Sequence, residues 1–355
     1  MRRSRRSVLV SLAGSATLFA GCGSTGGGDS PTERATGTPT VTFATATGGT
    51  ESPSPADRRT ETPDAVTRAT TTARTEISTA IERLNAAAVV EDGDVGIVTA
   101  NAFAEYARAE SPRPPIQRAR GALDGVSDRA TADRQRAVNG LLFLCEYLET
   151  RAVQHDRIVD GFSSFYEATQ AFPTELELET ARAAVGDMRT LRQQVGTAGG
   201  VLDRIAPRAD ALGVSGFAVD TARERQSTFR RIAREFEPAF AGALSTMQVV
   251  GLLSATGPAI ERGNYERAAG FAADATVAAD NATSRLDTAS ERNVRHFSAT
   301  FERYRCLATK LRTVAERYGD AAEAYLNEAP EKGREHYRSA KEDLGTTEEE
   351  CGIEL

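Results

Sequence analysis

Residues 294–325, VRHFSATFERYRCLATKLRTVAERYGDAAEAY, decide the fold. Val294, Phe297, Phe301, Tyr304, Ala308, Leu311, Ala315, Tyr318, Ala322 and Tyr325 recur at alternating steps of three and four. That spacing is the period of a helix with one buried face, sustained here over more than four heptads. A second seam runs through Val138, Leu141, Cys145, Leu148, Ala152, His155, Val159, Phe162 and Tyr166. Two such helices are expected to pack lengthwise against neighbours, as in an antiparallel bundle.

Composition agrees with that expectation. Aromatic residues make up 6 % of the chain and Trp is absent, while Ala recurs throughout. Small side chains suit close helix packing better than they suit a sheet. Prolines at 112, 114, 115, 173, 207, 238, 258 and 330 divide the chain beyond Asp64 into segments that each read as helix. No residue from Ala239 to Ile260 is charged, but Gln248, Gly251, Gly257, Pro258 and several hydroxyls make this stretch too polar for a membrane span. It reads as the most buried helix of an all-α bundle.

The amino-terminal region carries an address. Arg5 and Arg6 stand directly before an apolar stretch from Val8 to Ala20, which is shorter than the roughly 20 residues a spanning helix needs. Basic residues followed by a short apolar run read as a signal peptide. The paired arginines resemble the signal of the twin-arginine export route, which carries folded proteins. Phe19-Ala20-Gly21-Cys22 resembles the lipobox of lipoproteins, with Phe19 departing from the usual Leu. The resemblance implies cleavage after Gly21 and a thioether-linked lipid on Cys22. Stable anchoring takes two chains or a second contact.

From Gly23 to Pro63, 27 of 41 residues are Gly, Ser, Thr or Pro. Such a segment buries too little to offset its ordering entropy. As a random coil it would span roughly 35 Å on root-mean-square average. The expected organisation is therefore a signal peptide (1–21), a lipid-anchored disordered linker (22–63), a helical bundle (64–344) and an acidic tail (345–355). The net charge is −7, and removal of residues 1–21, which hold four Arg and no acid, takes it to −11. An acidic chain is a poor ligand for nucleic acid, whose binding draws on Lys and Arg. Basic residues are almost all Arg, with only Lys310, Lys332 and Lys341 besides. That bias, together with surplus acid, resembles proteins of salt-loving archaea.

Gly263-Asn264-Tyr265-Glu266-Arg267-Ala268, followed by Ala272 and Ala275, resembles the turn and second helix of a tetratricopeptide repeat. The resemblance covers about thirteen residues, Ala272 replaces the expected aromatic, and no second copy follows at the repeat interval. Since repeat arrays need about three copies, an ordinary helix-turn-helix within the bundle is expected.

Residues that could carry chemistry are few. No carboxylate or second His lies three or four residues along a helix from His155, His296 or His336, so the spacings that build helical zinc or di-iron sites are absent. His155 falls on an apolar seam and reads as a core residue. Gly161-Phe162-Ser163-Ser164-Phe165 and Gly213-Val214-Ser215-Gly216 are near misses to a nucleophile elbow and follow no recognisable strand. Asn281-Ala282-Thr283 is a glycosylation triplet within an expected helix. No catalytic, cofactor-binding or metal-ligating residue is therefore assigned.

With Cys22 lipidated, Cys145, Cys306 and Cys351 remain in an oxidising compartment. If the chain reverses at Pro330, Cys306 and Cys351 come to similar heights, and a disulfide between them is expected. Three free thiols or a Cys145–Cys306 pair are the alternatives. The functional expectation is a lipid-anchored, extracytoplasmic, non-enzymatic module that binds a protein or envelope partner. A solute-binding receptor beside a transporter, and a hydrolase with dispersed residues, are the alternatives.

Overall fold

The computed structural model describes residues 63–86, 109–291 and 298–352, and among these it contains eight α-helices and no strand. They are α1 (Pro63–Ala86), α2 (Arg113–Asp124), α3 (Ala132–Ala171), α4 (Leu178–Ile205), α5 (Val219–Glu261), α6 (Tyr265–Glu291), α7 (Ser298–Leu326) and α8 (Pro330–Cys351). Short helical turns precede α3 and follow α4.

Local sequence sets several boundaries. Pro114 and Pro115 occupy the first turn of α2, where their missing N–H groups cost nothing. Between α5 and α6, Gly263 takes φ +75°, and the Asn264 and Gly263 amides donate to the carbonyls of Ala259 and Ile260 at 2.9 Å each. This six-to-one plus five-to-two pattern is a Schellman stop, and glycine adopts its left-handed residue without strain. The segment that resembles a tetratricopeptide turn is thus a helix-turn-helix, with Ala268, Ala272, Ala275, Ala279 and Ala282 buried along one face of α6.

Side-chain pairs fix the directions of the helices. Tyr147, Gln154, Phe162 and Phe165 of α3 meet Ala222, Gln226, Phe236 and Phe240 of α5 in the same order, so these two helices run parallel. Helix α4 lies antiparallel to both, with Arg204 on Glu146 and Arg157 on Asp187 at one side, and Arg223 on Asp203 and Arg189 on Glu237 at the other. From α5 onward each helix packs antiparallel to its predecessor. Arg305–Asp287 and Arg312–Asp280 tie α7 to α6, and Arg317–Asp343 ties α8 to α7. Exposed pairs of this kind each contribute about 0–1 kcal/mol, so their main effect is on register.

Burial divides into two cores. One joins α1, α2, the first half of α3, the end of α4 and Ala222 at the start of α5, through Ile77, Leu84, Ile116, Leu123, Leu141 and Leu144 among others. The other joins the second half of α3, the first half of α4 and most of α5 to α8. In it Phe165 stacks on Phe240 at 4.2 Å, and Phe162 meets Phe236 edge-on at 4.6 Å.

Three sequence expectations change in detail. The seam from Phe301 to Ala322 is buried at every described position, while Val294 and Phe297 lie outside the described residues. The α3 seam is buried from Val138 to His155, but further along Ile158 and Phe165 turn inward and Tyr166 is 51 % exposed. A straight helix drifts by roughly 20° per heptad against a strict seven-residue repeat, so four heptads carry the stripe round by about one residue. Pro238 and Pro258 do not bound a helix but lie inside α5. Each costs about 3 kcal/mol in lost bonding and clash. Phe236, Ala239 and Phe240 beside one, and Ala259 and Ile260 beside the other, are buried and hold the helix together. Finally, α8 continues past Leu344 through residues read as tail, because Thr347 and Cys351 are buried against the bundle.

The uncharged stretch Ala239–Ile260 is the inner part of α5. This helix is long and apolar enough to cross a membrane, yet 61 % of its most apolar window is buried by its own chain.

Candidate functional site

Between the two cores lies a layer of buried polar side chains. Gln154 of α3 and Gln226 of α5 exchange two amide bonds, 2.8 Å in one direction and 2.9 Å in the other. The next residue, His155, 3 % exposed, presents its ring edge-on to Phe229 at 5.3 Å. Arg151, also 3 % exposed, donates from Nη2 to Asn85 Oδ1 at 3.0 Å, while its buried Nε has no partner. Burial pushes the Arg151 guanidinium down to about 10, and the neighbouring Arg225 charge adds to the effect. An isolated buried cation is costly unless paired, and among the described residues no carboxylate pairs with either arginine.

Arg151 lines a shallow, solvent-open cleft together with Tyr147, Arg225, Thr221, Phe217, Gly216 and Ala218. Gly216 takes φ +77°, which turns the chain into the first turn of α5. Ala218 occupies the N-cap and has no side-chain acceptor, so the first amides of this 43-residue helix receive no side-chain cap. Tyr147 donates weakly to Ala222 O at 3.5 Å and packs edge-on against Phe217. Burial raises the Tyr147 phenol, keeping it a neutral donor. The lining therefore offers hydrogen-bond donors and positive charge, and among the described residues it contains no acid.

The residues expected to carry function are distributed differently. Arg5, Arg6, Gly21 and Cys22 lie outside the described residues. Cys306 and Cys351 form a disulfide with Cα atoms 5.7 Å apart, joining α7 to the last turn of α8. Cys145 is a buried free thiol whose pKa burial pushes up to about 12. His336 stands 4.0 Å from Asp320 across the α7–α8 interface, and His296 lies outside the described residues. Among the described residues no group of three His, Cys, Asp or Glu side chains could hold a metal ion. Asn281 is exposed on α6; Gly161 packs against Met188 in mid-helix; Gly213 and Gly216 belong to the turn before α5. None of these sites assembles a nucleophile with a base.

Sequence reasoning missed Arg151 and Arg225. The available signal was a cation one residue before the seam position Ala152, but only the tertiary fold reveals that no acid answers it. Comparison with protein-family models, curated proteins and solved structures finds no match to this chain.

Proposed function

We propose that this chain is an extracytoplasmic, lipid-anchored helical module that docks a protein partner presenting an apolar helix. The outward location follows from Arg5, Arg6 and the Gly21-Cys22 junction. The Cys306–Cys351 disulfide supports it, because such bonds persist in oxidising compartments. The apolar seams of α3 and α7 are consumed by the chain's own packing, so they leave no groove for a partner.

The observation that carries the docking reading is a stripe on α5. Leu244, Gln248, Gly251, Ala255 and Pro258 follow steps of four and three, are half-buried or exposed, and lie in a stretch without charge. Leu176 covers Gly251 in part. A narrow uncharged stripe at helical spacing suits a helix laid against it. A photoreactive side chain placed at Gln248 or Ala255 in cells should yield a discrete adduct that vanishes in Ala255→Glu and is absent when the probe sits at exposed Arg285. Equal labelling from all three positions would refute docking there. Replacing Cys22 by Ser should release the protein into the medium without lipid label; retention of an untrimmed chain in the cytosol would refute the address.

A second reading, a lipid-anchored solute receptor, is favoured by one observation, the cleft at the start of α5 lined by Arg151 and Arg225.

A further inference from the structure

We infer that the cleft at the start of α5 binds a small tetrahedral oxyanion, held by Arg151 and Arg225 against the uncapped first turn of the helix.

Several arginines of the bundle meet carboxylates on the adjoining helix, as in Arg118–Glu76, Arg120–Glu149 and Arg157–Asp187, and others lie at the surface without one. Arg151 and Arg225 line one cleft, and Arg151 is 97 % buried, with Asn85 on Nη2 as its hydrogen-bond partner and Nε unsatisfied. Two like charges gathered without a counterion leave a deficit that an anion would neutralise. A dianion such as phosphate or sulfate matches two guanidinium groups better than a single carboxylate does.

The cleft is lined by Ala218 and Thr221, the N-cap and third residue of α5, whose amides point out of the helix N-terminus with its partial positive charge. Ala218 supplies no side-chain oxygen to occupy them. The Thr221 and Tyr147 hydroxyls border the same space. Asp220, the acid of that turn, is fully exposed, turned toward Arg223 at 3.9 Å, and outside the lining. The cleft is shallow and open to solvent, so the anion sits at its mouth, and the terminal phosphate of a larger molecule can occupy the same place with its remainder in solvent.

The test is a titration of the purified full chain at constant ionic strength, balanced with chloride, followed by calorimetry and thermal unfolding. Inorganic phosphate should bind saturably and raise Tm. Arg225→Gln, on the half-exposed side of the cleft, should weaken binding at least tenfold, and Arg151→Met should abolish it; Arg285→Gln, on α6, should leave it unchanged. A parallel titration with glycerol 3-phosphate separates the sources: equal or tighter binding points to a terminal phosphate, and binding of phosphate alone points to the free ion. If neither titration saturates, or if Arg225→Gln binds like the unaltered chain, the inference is overturned. Because the readout is direct binding at the cleft, it is independent of whether a partner docks on the α5 stripe.

Discussion

Gln154 and Gln226 close a reciprocal pair of amide hydrogen bonds across the α3–α5 interface, at 2.8 and 2.9 Å, with both side chains buried. Each amide satisfies the other, so truncating one should strand the second in a dry interface. A single Gln226→Leu or Gln154→Leu substitution should cost about 1–3 kcal/mol, the penalty of an unsatisfied buried polar group. The double substitution should recover most of that loss, because replacing both partners by apolar groups can be nearly neutral. Urea unfolding of the four proteins in a double-mutant cycle measures the coupling. An additive cycle would show that the pair is not closed as described.

The two tight helix connections use the same stop with different residues. At Gly263 the left-handed residue is glycine; at Glu328, φ 56°, it is not, although Ala329 and Glu328 donate to Ala324 and Tyr325 in the same pattern. A side chain in that conformation costs roughly 1 kcal/mol. Glu328→Gly should therefore stabilise the chain by up to about 1 kcal/mol, and Gly263→Ala should destabilise it by about the same amount. Chemical denaturation midpoints of both variants check the opposite signs.

The disulfide spans 45 residues. A loop of that length, opened in the unfolded chain, corresponds to about 4 kcal/mol in the chain-entropy account. Reduction, or Cys306→Ser with Cys351→Ser, should lower stability by up to that amount. It should also free the last turn of α8, since Cys351 is the residue that fastens it. Faster proteolysis after Lys341 in the reduced protein, with the α3–α5 region still protected, is the expected pattern.

Cys145 should behave in the opposite way. Burial raises its pKa from 9.0 to about 12, which at pH 8 leaves roughly a thousandfold less thiolate than an ordinary thiol would have. Alkylation in the native state should be suppressed at least to that extent and become rapid in denaturant. For an acid whose folded pKa is raised, the unfolded state loses its proton first. The contribution of Cys145 to stability is thus constant below pH 9 and is lost as pH rises from 9 toward 12, an effect that Cys145→Ala should remove. Denaturation midpoints at pH 8 and pH 10 for both proteins measure it.

The sequence revealed much of the fold because periodic burial is local. Phe301 to Ala322 marks its own inward face, and the reversal at Pro330 places Cys306 opposite Cys351. Other features depend on neighbours the sequence does not identify. Pro238 and Pro258 look like boundaries until the burial on either side of them is known, and the choice between Val159 and Ile158 turns on accumulated helix drift. The candidate cleft was least legible. A chain with 40 arginines gives no sign of which two share a cleft, and Arg151 and Arg225 are 74 positions apart, brought together only by the parallel run of α3 and α5.

Arg151 allows a direct test of whether its charge is held for a ligand or for the fold. The depression of its pKa to about 10, from the ordinary guanidinium range, corresponds to a folding penalty of about 3 kcal/mol. For a base whose folded pKa is lowered, the penalty is complete below pH 10, where both states hold the proton, and fades as pH rises above 10 toward the ordinary guanidinium value. At pH 7 Arg151→Met should remove it while keeping most of the side-chain volume. Asn85, the lost partner, is exposed and rehydrates at little cost. The variant should therefore be more stable than the unaltered chain by about 1–3 kcal/mol in buffer free of phosphate and sulfate. Adding phosphate should narrow that gap by stabilising only the unaltered protein. Loss of stability on substitution, in both buffers, would instead make Arg151 a structural cation of the α1–α3 contact.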